Sequence, residues 1–180
     1  MKGVVFTEFL EFIEEKFGFD ISDDMIEKSQ TSTGGVFTQA GNYPFNDMVN
    51  LVKTLSDITQ IPFNQLVEAY GEHLFKRLIN IYPKPVSIYT NTFDFVSNLE
   101  NVVHPEVKKL YSDTDLPTFL DPIINENILS IIYISNKPLM DFAKGLIQGC
   151  ALYYNETIKV EYQILETTPK FKAKFLITKS

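Results

Sequence analysis

The pattern of apolar residues changes near residue 112, and this change constrains the fold more than any other feature of the chain. Before it, apolar residues recur at the three-to-four-residue spacing of amphipathic helices. After it, runs such as ILSIIYIS and KFKAKFLIT have the β-branched, alternating character of strands. A helical part followed by a part with strands is typical of the α+β class. We therefore predict a helical N-terminal half and a C-terminal α/β half with a mostly antiparallel sheet.

Prolines and capping residues set the predicted helix limits. Pro44 and Pro62 fit the first helical turn, because proline lacks the amide hydrogen that a first-turn residue leaves unbonded. The helix after Pro62 should end at Tyr82-Pro83, and Pro105 should interrupt the following one. The predicted helices of this half are residues 2–17, 22–30, 44–60, 62–81 and 92–111.

The second half is predicted to combine strands with one helix. That helix is expected to start at Pro138, with Asn136 as its N-cap. The segments LPTFL and ILSIIYIS come before it and have strand character. The last two runs, TIKVEYQILET and KFKAKFLIT, are separated by Thr168-Pro169 and predict an antiparallel hairpin.

Length, charge and cysteine content limit the classes of function. A chain of 180 residues fits one domain, and 44% hydrophobic residues suffice for a core and an apolar cavity. The net charge of −7, without a cluster of Lys and Arg, argues against nucleic acid as a partner. Cys150 is the only cysteine, which excludes an intrachain disulfide and a Cys-rich zinc site.

The N-terminus carries carboxylates among its apolar residues, unlike a secretory signal. No apolar run approaches the roughly 18 residues of a membrane-spanning helix. We therefore expect a soluble, cytoplasmic protein.

The chain contains two histidines, and His104 is the stronger candidate for chemistry. It lies at the edge of the apolar stripe of the predicted helix 92–111, so its imidazole can face an apolar cavity as a neutral metal ligand. His73 lies on another predicted helix. A partly buried structural histidine is the alternative interpretation, because most histidines in such positions bind nothing. The common nucleotide-binding, zinc-protease and hydrolase motifs are absent from the sequence.

A second candidate site lies at the end of ILSIIYIS. Period-two alternation puts Tyr133, Ser135 and Lys137 on the face that also carries Leu129 and Ile131. Two hydroxyls and a cation grouped in this way suit a carboxylate or a phosphate. A solvated strand end is the alternative interpretation.

These residues and several spaced motifs resemble the haem nitric oxide/oxygen binding (H-NOX) domains of bacterial sensors and of the β subunit of soluble guanylate cyclase. The resemblance covers essentially the whole chain. It implies the H-NOX fold, with a distal helical subdomain at about 1–60, a proximal subdomain with the sheet at about 61–180, and haem between them. The motifs that carry it are the initial MKG, AYGEHLF, NVVHPEVKKLY, DLPTF, Tyr133-x-Ser135-x-Lys137 and FAKGLIQG.

The resemblance also implies roles for individual residues. His104 matches the proximal iron ligand of haem b, and Tyr133 and Ser135 match residues that hold the haem propionates. Lys137 replaces the family's Arg, so the propionate clamp should weaken, because Lys offers a point charge in place of a planar fork. Pro117 matches a proline that packs against the porphyrin. Pro105 should disfavour helical geometry at His104 and kink the helix there.

The distal side of the haem is implied to lack a hydrogen-bond donor. Phe142 stands where oxygen-binding members carry a tyrosine, and Phe9, Leu74 and Val5 match neighbouring positions. A polarised Fe–O₂ unit needs such a donor more than NO or CO does, so the pocket should favour NO. Phe142, Phe9 and Leu74 also suit an ordinary core.

The resemblance thus implies a stand-alone, non-enzymatic sensor of nitric oxide. NO would bind ferrous haem opposite His104, weaken the iron–histidine bond and signal by conformational change. The implied partner is a separate histidine kinase or cyclic-di-GMP enzyme. A haem-free or weakly haem-binding interaction module of the same fold is the main alternative, and a haem peroxidase is a more distant one. Gly71 and Gly145 are read either as hinges or as sites of close helix packing.

Overall fold

Four helices build the N-terminal part of the computed structural model, which describes residues 1–81 and 83–180. Gly18 separates the first two with a φ of 85°, so the second helix begins at Phe19, slightly before the predicted start. The third and fourth begin directly after Pro44 and Pro62, one residue later than predicted. These helices are α1 (Gly3–Phe17), α2 (Phe19–Lys28), α3 (Phe45–Thr59) and α4 (Phe63–Ile81).

The segment that follows differs from the single long helix expected over 92–111. A short helix, α5 (Lys84–Ser87), comes first. The end predicted for the preceding helix, at Tyr82-Pro83, includes Tyr82, which lies outside the described residues. The helix α6 (Thr92–Ser97) then passes into a π-helical turn, Leu99–Val103, before α7 (His104–Leu110) begins. The interruption therefore lies upstream of Pro105.

The expected kink at Pro105 is wrong. His104 has ordinary right-handed helical angles, φ −63° and ψ −39°, and Pro105 occupies the first turn of a new helix. A first-turn proline removes no intrahelical hydrogen bond, so it disturbs the backbone little. The helix predicted over 92–111 is interrupted by the π-helical turn Leu99–Val103 and not by Pro105.

Among the residues that the structure describes, four antiparallel strands form one sheet: β1 (Thr118–Asn125), β2 (Ile128–Ser135), β3 (Ile158–Glu166) and β4 (Phe171–Lys179). Their order in the sheet is β1-β2-β4-β3, which confirms the α+β class. β1 and β2 pair as neighbours, with an irregularity between Leu120 and Ile123. The predicted C-terminal hairpin is confirmed by the antiparallel pairing of β3 and β4.

The last helix, α8 (Met140–Tyr153), starts two residues later than predicted. Leu139, not Asn136, stands at its N-cap. The Asn136 amide instead donates a hydrogen bond to Asp115 over 3.0 Å, so a tertiary contact replaces the expected local cap.

Glycines allow α4 and α8 to pack closely. A Cβ atom on Gly71 would lie 2.5 Å from the carbonyl oxygen of Phe142, and one on Gly145 would overlap the carbonyl oxygen of Glu68. Gly149 approaches the Glu72 carbonyl in the same way. This supports the packing interpretation of Gly71 and Gly145.

Replacing Gly145 with Ala should therefore destabilise the protein, although alanine is the better helix former. The added methyl group meets backbone, which cannot rotate away, so we expect a loss of about 1–3 kcal/mol. Chemical denaturation of Gly145→Ala and of Gln148→Ala, a partly exposed position on the same helix, measures the difference. Equal stability of the two variants would contradict the close-packing interpretation.

The core divides into two apolar clusters. One lies among α1 to α4 and contains Phe6, Phe9 and Leu51, and the other lies between the sheet, α6 and α8 and contains Tyr133 and Phe175. Phe142 and Leu146 of α8 pack against the first cluster, so α8 joins the two. Within residues 1–81 and 83–180, no helix is long and apolar enough to cross a membrane.

Candidate functional site

A cavity of about 380 Å³ is lined by residues of both clusters. Aliphatic and aromatic side chains from α1, α4, α6 and α8 form most of its wall, among them Val5, Leu78, Val96, Leu146 and Ile147. Polar groups are concentrated on the residues around β2 and the loop before β1. An apolar cleft with a few polar groups is the usual form of a small-molecule or cofactor site.

His104 contributes an imidazole to this cavity. Its side chain is 11% exposed, and its Nδ1 lies 2.8 Å from Oε1 of Glu100. Since Nδ1 is engaged there, Nε2 is the ring nitrogen left to bind a metal. Burial lowers the pKa of His104, while the Glu100 carboxylate opposes that shift. A lowered pKa favours the neutral imidazole, which is the form that binds metals.

Tyr133 provides a buried polar group at the cavity wall. Its hydroxyl forms no hydrogen bond within the part of the chain that the structure describes, although Tyr133 is fully buried. Burial raises the pKa of Tyr133 to about 12 against smaller, opposite effects of the Ser135 hydroxyl and the Leu139 amide, which lie near the hydroxyl without reaching hydrogen-bond geometry. The phenol is therefore neutral and remains a hydrogen-bond donor. An unsatisfied buried donor is costly, and a ligand with an acceptor at this point would remove that cost.

Ser135 and Lys137 lie next to Tyr133 but have partners within the protein. The alternation predicted for β2 is observed, because Leu129, Ile131, Tyr133 and Ser135 are all buried. The Ser135 hydroxyl accepts a hydrogen bond from the Lys137 amide over 3.1 Å, and Ser135 does not line the cavity. The Lys137 ammonium does line it and forms an ion pair with Asp115 at 2.5 Å.

A second cation at the cavity was not predicted. Lys2 lines it and forms an ion pair with Asp113, which also accepts a hydrogen bond from Asn42 over 2.8 Å. The hydrogen bonds from Lys2, first, and from Asn42 lower the pKa of Asp113. The hydrogen bonds from Lys137, first, and from Asn136 lower the pKa of Asp115. The two aspartates thus connect the loop before β1 to the N-terminus and to the end of β2.

Most of the predicted site residues meet at this cavity. Val5, Leu74, Phe142 and Pro117 line it together with His104, Tyr133 and Lys137. Phe9 does not, because it lies within the helical cluster with its ring 5.0 Å from that of Tyr70. The Tyr70 hydroxyl of α4 donates to the carbonyl of Val5.

The remaining candidate groups do not add to a metal site. His73 packs on Phe12 with a ring separation of 5.0 Å and does not line the cavity. Cys150 lines the cavity, but burial raises the pKa of its thiol well above the usual value, so it stays protonated. No group of three His, Cys, Asp or Glu residues able to hold a metal is found among residues 1–81 and 83–180.

The residues present fit a haem better than a bare metal ion. One imidazole supplies a single iron ligand, while a porphyrin brings the other four nitrogens itself. Apolar side chains suit the porphyrin face, and the unpaired Tyr133 hydroxyl with the nearby Lys137 ammonium suits the porphyrin carboxylates. The fit therefore rests on the orphan donor, the single imidazole and the apolar wall together.

Comparisons with known proteins agree with this assessment. A family model described as haem-NO-binding matches residues 2–162. The unliganded Fe(II) H-NOX protein from K. algicida is 33% identical with a TM-score of 0.91, over 100% of this chain and 97% of that chain. A comparison with curated proteins gives no match.

Two Shewanella structures are also similar. The H-NOX of Shewanella woodyi in the Fe(II)CO state with bound IWP-051 is 31% identical with a TM-score of 0.82, covering 100% of this chain and 95% of that chain. The H-NOX protein from S. oneidensis in the Fe(II)NO state is 23% identical with a TM-score of 0.89, covering 100% and 99%, and supports the fold alone. On the family model and the K. algicida and Shewanella woodyi matches, the chain belongs to the haem-NO-binding, or H-NOX, family of haem-binding gas-sensor domains.

Proposed function

We propose that this chain is a non-enzymatic, haem-based sensor of nitric oxide. The observation that carries the proposal is the pairing, in one apolar cavity, of the His104 imidazole with the unpaired Tyr133 hydroxyl. His104 would bind the iron of haem b through Nε2. Tyr133 and Lys137 would hold the propionates, with Ser135 supporting the backbone between them. Pro117, Val5, Leu74 and Phe142 would pack against the porphyrin and its gaseous ligand.

The choice of gas depends on the apolar wall. Ferrous haem held by His104 would supply a site for NO, CO or O₂. Val5, Leu74 and Phe142 have no side-chain donor, and the hydroxyl of the neighbouring Tyr70 is already bonded to a carbonyl. Because stable O₂ binding requires polar stabilisation, this wall favours NO and CO.

Release of His104 would be the start of the signal. His104 is the first residue of α7 and follows a π-helical turn, so α7 is free to shift relative to α6 once it is no longer held at the cavity. In this proposal residues 1–180 act as one unit whose helical part rotates against the part with the sheet. The signal would pass to another protein, a histidine kinase or a cyclic-di-GMP enzyme.

An absorption spectrum tests the proposed function. The purified, reduced protein should show the Soret band of five-coordinate ferrous haem, shift it to the blue with NO, and form no stable oxy complex in air. Absence of a haem band after reconstitution would favour a haem-free interaction module instead. A stable oxy spectrum would contradict the selectivity assigned to the wall around Phe142.

Replacing Tyr133 with Phe should accelerate haem loss without destabilising the haem-free protein. Hydrogen bonds to charged groups contribute about 1.5–3 kcal/mol, which corresponds to roughly 10–150-fold faster transfer of haem to apomyoglobin. The haem-free variant loses only an unpaired hydroxyl, so its unfolding midpoint should not fall. Tyr162→Phe is the matched control, because the Tyr162 hydroxyl donates to Asp141 over 2.7 Å, away from the cavity. Equal haem transfer from both variants would exclude Tyr133 from the site.

A further inference from the structure

We propose that Glu100 is a positioning residue that orients His104 and strengthens its bond to iron. The inference rests on the proposed function, since it assigns a role toward the haem that His104 would bind. Neither the composition nor the family resemblance assigned any role to Glu100. The contact between the side chains of Glu100 and His104 reveals this role.

One oxygen of Glu100 serves two donors. Oε1 accepts a hydrogen bond from the backbone N–H of Phe119 over 2.9 Å and lies 2.8 Å from Nδ1 of His104. The Phe119 amide belongs to β1, so the sheet fixes the position of the carboxylate. The carboxylate in turn selects the ring tautomer with the proton on Nδ1 and directs Nε2 away from itself.

The local backbone makes this contact possible. Glu100 lies within the π-helical turn Leu99–Val103, and His104 follows it at the i+4 position. Residues four apart lie on one face of a helix, so the two side chains meet. The amide of His104 donates to the carbonyl of Leu99, five residues back, which is the π-type pattern. Such turns are frequent at functional sites.

A carboxylate acceptor changes the electron density of the His104 imidazole more than a neutral acceptor does. A hydrogen bond from Nδ1–H raises the electron density at Nε2, and a charged acceptor has a larger effect than an amide or carbonyl. The side chain of Glu100 is 31% exposed and that of His104 is 11% exposed, so water screens the pair only in part. We therefore expect a strong iron–histidine bond in this protein and a correspondingly slower release of His104 after NO binds.

Three variants separate charge from geometry. Glu100→Gln keeps an acceptor oxygen but removes the charge, Glu100→Ala removes both, and Glu106→Gln is the matched control. Glu106 carries the same charge on α7, the helix of His104, but is paired with Lys109 at the surface. Resonance Raman spectroscopy of the reduced proteins measures the iron–histidine stretching frequency. The frequency should fall from the parent protein to Glu100→Gln and further to Glu100→Ala, and Glu106→Gln should match the parent.

Two further measurements extend the test. Haem loss from Glu100→Ala should be about tenfold faster than from the parent, the lower end of the effect of removing a partner of a metal-bound histidine. Nitrogen NMR of the haem-free parent should show His104 with its proton held on Nδ1, and Glu100→Ala should show a mixture of tautomers. If Glu100→Ala does not fold, Glu100→Gln retains both hydrogen bonds and decides the Raman result.

The outcomes distinguish this inference from the proposed function. If the parent takes up haem and responds to NO but all variants have its stretching frequency and His104 tautomer, Glu100 has no positioning role and the sensor proposal stands. If the parent takes up no haem after reconstitution, both proposals are overturned. A lowered frequency in Glu106→Gln as well would show a general charge effect and also overturn the role of Glu100.

Discussion

Replacing His104 with Gly should abolish stable haem binding. The iron would lose its protein ligand at a cavity where the described residues offer no second imidazole. Loss of a residue that merely supports a metal-bound histidine costs about 10–100-fold in metal affinity, so loss of the ligand itself should cost at least about a hundredfold. Added imidazole should restore binding by filling the space left by the side chain. Soret absorbance of the reconstituted variant, with and without imidazole, measures both effects.

His73→Gly is the control for this prediction. It removes the other histidine from a helix, at a cost in helix stability of about 1 kcal/mol, but leaves the cavity intact. Its Soret band should equal that of the parent. An unchanged iron–histidine stretch in His104→Gly would move the ligand assignment away from His104.

The sequence was sufficient for elements whose limits depend on local chemistry. α3 and α4 begin after Pro44 and Pro62 because proline suits a first turn wherever the helix packs. The β3–β4 hairpin and the buried face of β2 follow from alternation, since one face of a strand must be covered. These features require no knowledge of distant parts of the chain.

The errors occur where a tertiary contact decides the local structure. Asn136 has the chemistry of an N-cap, but its amide binds Asp115, and α8 begins at Met140. The π-helical turn before His104 has no sequence signature, because its apolar spacing resembles that of an ordinary helix over a few residues. Pro105 suggested a break, yet a proline in a first turn is compatible with a regular helix.

At the candidate site, too, individual residues could be predicted from the sequence, but the long-range contacts between them could not. The resemblance predicted roles for His104, Tyr133 and Lys137, and the structure places these three residues at one cavity. It predicted nothing for Glu100, whose carboxylate accepts a hydrogen bond from the amide of Phe119, 19 residues away. Nor did it predict the ion pair between Lys2 and Asp113, which joins positions distant in the chain. Long-range polar contacts leave no periodic trace in a sequence.

An ion pair between α1 and α4 is one such contact, and it supports two helices that form part of the cavity wall. Glu8 of α1 is almost completely buried, and Arg77 of α4 donates to it through Nε over 2.6 Å and to Glu11 through Nη2. The hydrogen bond that Arg77 donates to Glu8 raises the pKa of Arg77. The ion pair thus fixes the relative position of the two helices that carry Val5 and Leu74 into the cavity.

Replacing Arg77 with Ala should destabilise the protein by about 3 kcal/mol, because it leaves the Glu8 carboxylate buried without a counter-charge. This is the lower end of the effect for buried pairs, since Arg77 is itself 37% exposed. Chemical denaturation of the haem-free protein measures it, and Lys76→Ala, at an exposed site on the same helix, should change little. Glu8→Gln in the Arg77→Ala background should recover more than half of the loss, because no uncompensated charge then remains. If instead the double variant is as unstable as Arg77→Ala, the cost arises from lost packing of the arginine stem, and the charge of Glu8 is not what holds α1 to α4.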